Sequence, residues 1–211
     1  MKYTLIAGLV SLSFLVSSAH AQEGSRNDVS LSVFGAFQQS TSGNGVNQSA
    51  ENQPGILVTY RHYLTDHQGL EFDYGLAQFT QQYTGIGGLN LTPLGLSQTN
   101  ANILANTHEG TMSYVYRLAA RHRLSPFVTA GGGVLVFAPL TGSLGTGVLD
   151  TYITPDFVYG GGADFAATKH LNLRLGYRGH VFEAPGFGIA QIKTGSVTHM
   201  AEPFAGISFH W

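Results

Sequence analysis

After residue 26, apolar and polar residues alternate with a period of two in segments of about ten residues, the spacing of strands that show different chemistry on their two faces. The end of the chain carries this pattern clearly. Counted back from the terminus, Trp211, Phe209, Ile207 and Ala205 fall on one face, and His210, Ser208, Gly206, Phe204 and Glu202 fall on the other. One face suits lipid and the other a packed polar interior. Seven further segments repeat the pattern. Residues 27–38 place Val29, Leu31, Val33 and Phe37 opposite Ser30, Ser32, Phe34 and Ala36. Residues 55–64 place Ile56, Val58 and Tyr60 opposite Leu57, Thr59, Arg61 and Tyr63, and a third strand alternates Leu70, Phe72, Tyr74 and Leu76 with Glu71, Asp73, Gly75 and Ala77. Strands follow at 110–120, 126–137, 155–166 and 171–181; in the last, Leu171, Leu173, Leu175 and Tyr177 oppose Asn172, Arg174, Gly176, Arg178 and His180.

The connections are of two kinds. Those at 65–69, 121–125 and 167–170 are short. Those at 39–53, 81–107, 138–154 and 182–196 are longer and rich in Gly, Ser, Thr and Asn, so they read as exposed loops. Both termini fall on the short-turn side, which makes the strand number even. Short turns on one side and long loops on the other is the asymmetry of a transmembrane barrel. The predicted fold is all-β: an eight-stranded antiparallel up-and-down transmembrane β-barrel. Ten strands is the alternative, if 81–107 contains a hairpin.

Composition adds to this picture. Charged residues are only 10% of the 211, well below the quarter usual in soluble domains, so much of the surface is expected to face something other than water. The net charge of −2 gives no electrostatic footprint for nucleic acid, and zero Cys removes disulfide scaffolds and thiol chemistry. Residues 1–21 read as a secretory signal peptide. Lys2 is the positive start, residues 5–16 form the apolar stretch, and Ala19-His20-Ala21 predicts cleavage after Ala21, leaving 22–211 as a single barrel domain.

The segments FVYGGGADFAATKHLNLRLGYR (157–178) and SPFVTAGGGV (125–134), together with the final strand, resemble the OmpA/OmpX-like family of small Gram-negative outer-membrane β-barrels, a porin-family type. The resemblance implies a bacterial outer-membrane location with termini and short turns in the periplasm. It implies contact with outer-membrane lipid and lipopolysaccharide, passage through the secretion and barrel-assembly machinery, and a monomer. Ala205, Ile207, Phe209 and Trp211 would be the C-terminal assembly signal, with Trp in place of the usual Phe. It also implies a non-enzymatic protein whose four outer loops serve surface, adhesion or envelope-integrity roles.

The inward faces collect Arg61, Arg117, Arg174 and Arg178 against Glu71, Asp73, Asp164 and Glu202. Side chains fill the interior of an eight-stranded barrel, and charges there are costly unless paired, so a paired-charge plug is expected. The alternative is a narrow porin-like channel in which these charges gate small solutes or ions. A lipid A-modifying enzyme is a third reading. The neighbourhoods of His199 and His62 lack the His-x-Ser spacing it needs, so no catalytic residue is assigned. No two histidines stand at metal-ligand spacing, so a metal site would need neighbours from several strands, and neither metal nor cofactor is expected. The outward Tyr60, Tyr74, Tyr114, Tyr116, Tyr177 and Trp211 fit interfacial girdles rather than ligand platforms.

Overall fold

The computed structural model of the protein describes residues 26–89, 98–119, 123–142 and 149–211; the predicted signal peptide lies outside them. The elements are β1 Asn27–Gln38, β2 Thr41–Gly43, β3 Val46–Ala50, β4 Gln53–Tyr63, β5 Gln68–Leu89, β6 Gln98–Arg117, β7 Leu124–Gly142, β8 Tyr152–Ala166, β9 Leu171–Glu183 and β10 Val197–His210. All pairings are antiparallel. β1 pairs with both β4 and β10, β5 pairs with β6, and the run β6 to β10 completes a closed eight-stranded barrel. The seam is finished by the chain ends, where Asn27 N–H donates to Trp211 O at 3.2 Å and Trp211 N–H to Asn27 O at 3.1 Å. Among the described residues the eight wall strands leave no unpaired edge, which lipid demands of a strand-built span.

Two of the short turns use the same chemistry. Thr65 Oγ1 accepts from the His67 and Gln68 amides at 3.3 and 3.0 Å, and Thr168 Oγ1 from those of His170 and Leu171 at 3.3 and 3.1 Å. A threonine hydroxyl at the first turn position satisfies amides the ladder cannot reach.

The other end of the barrel departs from the expected loops. β5 and β6 continue as a paired ladder through most of 81–107, and β7 runs to Gly142. The two additional strands lie in 39–53: β2 and β3 form a hairpin on Asn44-Gly45, whose φ values of 53° and 76° fit a type I′ turn, and β3 pairs with the upper part of β5. Neither enters the barrel wall.

The extended ladder has a physical cause. Along β5 from Leu70 to Thr84 the parity does not slip, but the chemistry of the faces exchanges. Outward positions change from Phe72, Tyr74 and Leu76 to Gln78, Thr80, Gln82 and Thr84, while inward positions change from Glu71 and Asp73 to Ala77, Phe79, the neutral Gln81 and Tyr83. Below Leu76 the barrel is apolar outside and charged inside, as lipid permits; above Gln78 it is polar outside and uncharged and mostly apolar inside, apart from the bonded amides of Gln38, Gln48 and Gln81. The membrane boundary falls between Leu76 and Gln78.

This boundary yields a prediction. Leu175, 62% exposed in the middle of the outward row of β9, is expected to cost about 2–4 kcal/mol when replaced by Arg, as for lipid-facing positions near the midplane. Thr84→Arg, on the outward face above the boundary, is expected to cost within about 0.5 kcal/mol. Equal losses in urea-unfolding midpoints in lipid vesicles would contradict the assignment.

Candidate functional site

The interior is built in tiers from residues that the register places side by side. Arg61 on β4 lies opposite Glu71 on β5, Thr59 opposite Asp73, Asp164 on β8 opposite Arg174 on β9, and Glu202 on β10 opposite Arg178. Directly opposed residues on one face are the natural units of side-chain pairing in a sheet. Hairpin register therefore brings these partners within reach before the barrel closes.

The tier nearer the short turns centres on Arg174. Its Nε donates to Asp164 Oδ1 at 2.6 Å and its Nη2 to Asp164 Oδ2 at 3.1 Å, a bidentate pair. Nη2 also reaches Asp28 Oδ1 at 2.8 Å, and Nη1 donates to Ser30 Oγ at 3.1 Å. Arg61 bonds Glu71, reaches Asp164 Oδ2 at 3.4 Å, and places its guanidinium carbon 3.8 Å above the Phe127 ring. All five charged groups are buried. Arg117 stands apart from this tier: half-buried at the end of β6, it stacks on Tyr63 at 3.9 Å.

The second tier centres on Arg178, which bonds Glu109, donates to Glu202 Oε2 at 2.6 Å and lies 3.5 Å from Asp73 Oδ2. Asp73 also accepts from Thr59 and Thr111, at 2.6 and 3.2 Å. Beside Arg178, His180 places Nδ1 2.6 Å from Asp156 Oδ2 and Nε2 3.2 Å from Glu202 Oε2. The cavity beside the two tiers is about 10 Å³, enough for one water.

The structure brings together Arg61, Glu71, Asp73, Asp164, Arg174, Arg178 and Glu202, and it adds Asp28, Glu109, Asp156 and His180. Where the sequence offered four arginines against four carboxylates, buried carboxylates outnumber guanidiniums among the described residues. Asp28 and Asp156 were legible, since each shares the inward parity of its own strand, with Ser30 and with Asp164. Glu109 was hidden because β6 was expected to begin at residue 110. His180 had the inward parity, but its partners come from β6, β8 and β10.

Above the charged tiers sits a largely apolar cap, beside which the buried amides of Gln38, Gln48 and Gln81 bond one another. Phe79, Tyr83, Ile103, Leu135, Phe137 and Phe182 line the upper wall, and the segment 184–196 folds inward to place Phe187, Ile189 and Ile192 among them. Phe187 takes φ +45°, Gly188 follows at +77°, and Ile189 N–H closes the turn on Gly186 O at 2.9 Å. The left-handed Phe187 is strained for a side chain of that size. Its ring meets Tyr83 edge-on, 6.5 Å between centroids, while Tyr83 Oη donates to Pro185 O at 2.6 Å. The β2–β3 hairpin fastens this segment from outside: Asn44 Nδ2 donates to Lys193 O at 3.1 Å, and Ser196 Oγ to Ser42 O at 2.8 Å. No sequence period announces this segment, because it is neither strand nor helix.

The outward face carries two rings of aromatic contacts. Tyr60 stacks with Phe72, and Phe209 with Trp211, toward the short turns. Toward the other edge, Tyr74 Oη pairs with His108 Nδ1 at 2.8 Å and Tyr159 Oη with His199 Nε2 at 3.0 Å. Ala205, Ile207, Phe209 and Trp211 are all exposed on this face.

Comparison with known proteins places this geometry. The crystal structure of the outer membrane protein OprG from Pseudomonas aeruginosa is similar with a TM-score of 0.61 at 9% identity, covering 89% of this chain and 96% of that one. The crystal structure of Neisserial surface protein A is similar with a TM-score of 0.53 at 15% identity, covering 90% of this chain and 100% of that one. No curated protein sequence matches the chain. The outer membrane protein beta-barrel domain matches residues 7–199, most of the sequence. A closed barrel with a lipid-facing wall and that match over residues 7–199 establish that the chain belongs to the outer membrane protein beta-barrel domain family.

Proposed function

We propose that this protein is a closed, non-enzymatic, monomeric anchor in the outer membrane, whose barrel holds a folded cap on the cell surface for an adhesive or envelope-protecting role. Its termini and short turns face the periplasm in this reading. The observation that carries it is the obstruction of the lumen at successive levels: the Arg174 tier, the Arg178 tier and the apolar cap around Phe187. Hydrated ions need a continuous polar path, and a buried layer of Phe79, Phe137, Phe182 and Phe187 does not provide one.

The C-terminal strand supports the biogenesis side of the proposal. Ala205, Ile207, Phe209 and Trp211 present a continuous outward face that assembly machinery could read before lipid covers it. After insertion, the same face contacts lipid, and the Tyr74–His108 and Tyr159–His199 pairs sit near the outer edge of the wall where lipopolysaccharide begins. For catalysis His199 is poorly placed: it bonds Tyr159, and the nearby Ser196 donates to a backbone carbonyl of β2.

Planar-bilayer recording tests this reading. Protein refolded to a form whose gel mobility shifts on boiling is expected to give no unitary current steps in concentrated KCl. Steps that scale with protein concentration and disappear on boiling would replace the anchor by a narrow channel, with Arg178 and Glu202 as its constriction.

A further inference from the structure

We infer that the upper lumen holds a divalent transition-metal site formed by Glu109 on β6, His180 on β9 and Glu202 on β10. One ligand atom from each of these residues lies within 4.8 Å of the other two. The three side chains are buried, at 3%, 0% and 1% exposure.

Two ligands on a tetrahedral zinc at about 2.0–2.1 Å stand roughly 3.3 Å apart. His180 Nε2 and Glu202 Oε2 already stand at 3.2 Å, and Glu109 Oε2 is 3.8 Å from the same nitrogen. Small side-chain rotations complete the triangle. The imidazole is also oriented as metal-bound histidines are: Nδ1 faces Asp156 Oδ2 at 2.6 Å, which directs Nε2 inward as a lone-pair donor. That nitrogen makes no aligned hydrogen bond in the protein although it is wholly buried. A buried polar atom left this way calls for an occupant.

Charge points the same way. Asp73, Glu109, Asp156 and Glu202 surround this tier, and Arg178 is the guanidinium among them. Clustered carboxylates away from water are costly without further positive charge. A divalent ion supplies it: Arg178 holds Glu109 through Oε1, leaving Oε2 for the ion, and shares Glu202 Oε2 with it. The mixed imidazole and carboxylate set suits zinc and its neighbours better than calcium or magnesium, which favour oxygen alone. A proton on Nε2 is the competing occupant, so binding weakens as the pH falls.

Because the site lies below the apolar cap, loading is expected during folding and release is expected to be slow. The test refolds the full chain into detergent with and without zinc, washes with EDTA to strip the exposed histidines, and measures bound zinc by elemental mass spectrometry. About one zinc per folded chain is expected, with at least a ten-fold loss in His180→Gln and a 10–100-fold weaker loading midpoint in Asp156→Asn. Folding of each variant is read from the boiled and unboiled gel mobilities. X-ray absorption of the zinc-loaded wild type, which needs no variant to fold, should show one imidazole with carboxylate oxygens. Folded wild type without retained zinc, equal retention in folded His180→Gln, or a spectrum with several imidazoles overturns the site and assigns the Nε2 position to a proton.

Discussion

Arg174→Met is expected to lower the stability of the folded barrel by about 3–5 kcal/mol, a large part of what a domain of this size has to lose. The loss comes less from the missing attraction than from what remains. Asp164 would keep only Arg61 Nη1 at 3.4 Å, and Asp28 would lose its 2.8 Å guanidinium partner, with both carboxylates still out of water. A removed partner strands a charge, whereas removing the whole cluster does not. Arg174→Met combined with Asp28→Leu and Asp164→Leu should therefore recover most of the stability, leaving Arg61 with Glu71. The exposed pair Lys193–Glu183, 3.3 Å apart, is the control: Lys193→Ala should cost about 0–1 kcal/mol. Urea unfolding followed by the gel mobility shift measures all three. If Arg174→Met proves as mild as Lys193→Ala, water reaches the lumen and the plug is not dry.

Phe187→Ala is expected to open the cap without opening the barrel. Removing a wholly buried phenylalanine costs about 3–5 kcal/mol, and here the loss falls on a segment held by a few contacts above the membrane rather than by the ladder. Trypsin should then cut after Lys193 much faster than in the wild type, while the temperature of the gel mobility shift stays unchanged. Alanine keeps the strained backbone, so the comparison isolates the ring. Phe187→Gly relieves about 1–2 kcal/mol of left-handed strain and should be cut more slowly than the alanine variant. Parallel loss of the mobility shift would mean that cap and barrel are one cooperative unit, and unchanged proteolysis would mean that the ring does not hold the segment.

The two variants differ in how far their sites could be read in advance. Arg174 and Asp164 face each other across a hairpin whose tight turn sets the register, so the pair follows from parity and turn length alone. The same holds for Arg61 with Glu71. Glu109 and Arg178 meet across the lumen from strands that are not neighbours, and only closure of the barrel decides that. The segment 81–107 was expected to be a loop because its inward and outward faces exchange chemistry at the membrane boundary. Its Gly and Asn residues also flatten the contrast between the faces. The alternation itself continues, with Phe79 and Tyr83 inward and Gln78 and Gln82 outward.

By itself, the sequence determined the all-β barrel, the lipid-facing rows and the inward position of most of the charges, because a period of two is a local property of the chain and lipid tolerates little else; eight strands against ten it left open. The tertiary structure decided what stands across the lumen from what. It brought His180 to Glu109 and Glu202, seated Phe187 over the charged tiers, and turned the expected loops into longer strands, a hairpin and an inward-folded segment. These contacts join residues far apart in sequence. Their distances depend on the shear and curvature of the closed sheet, which no stretch of alternation encodes.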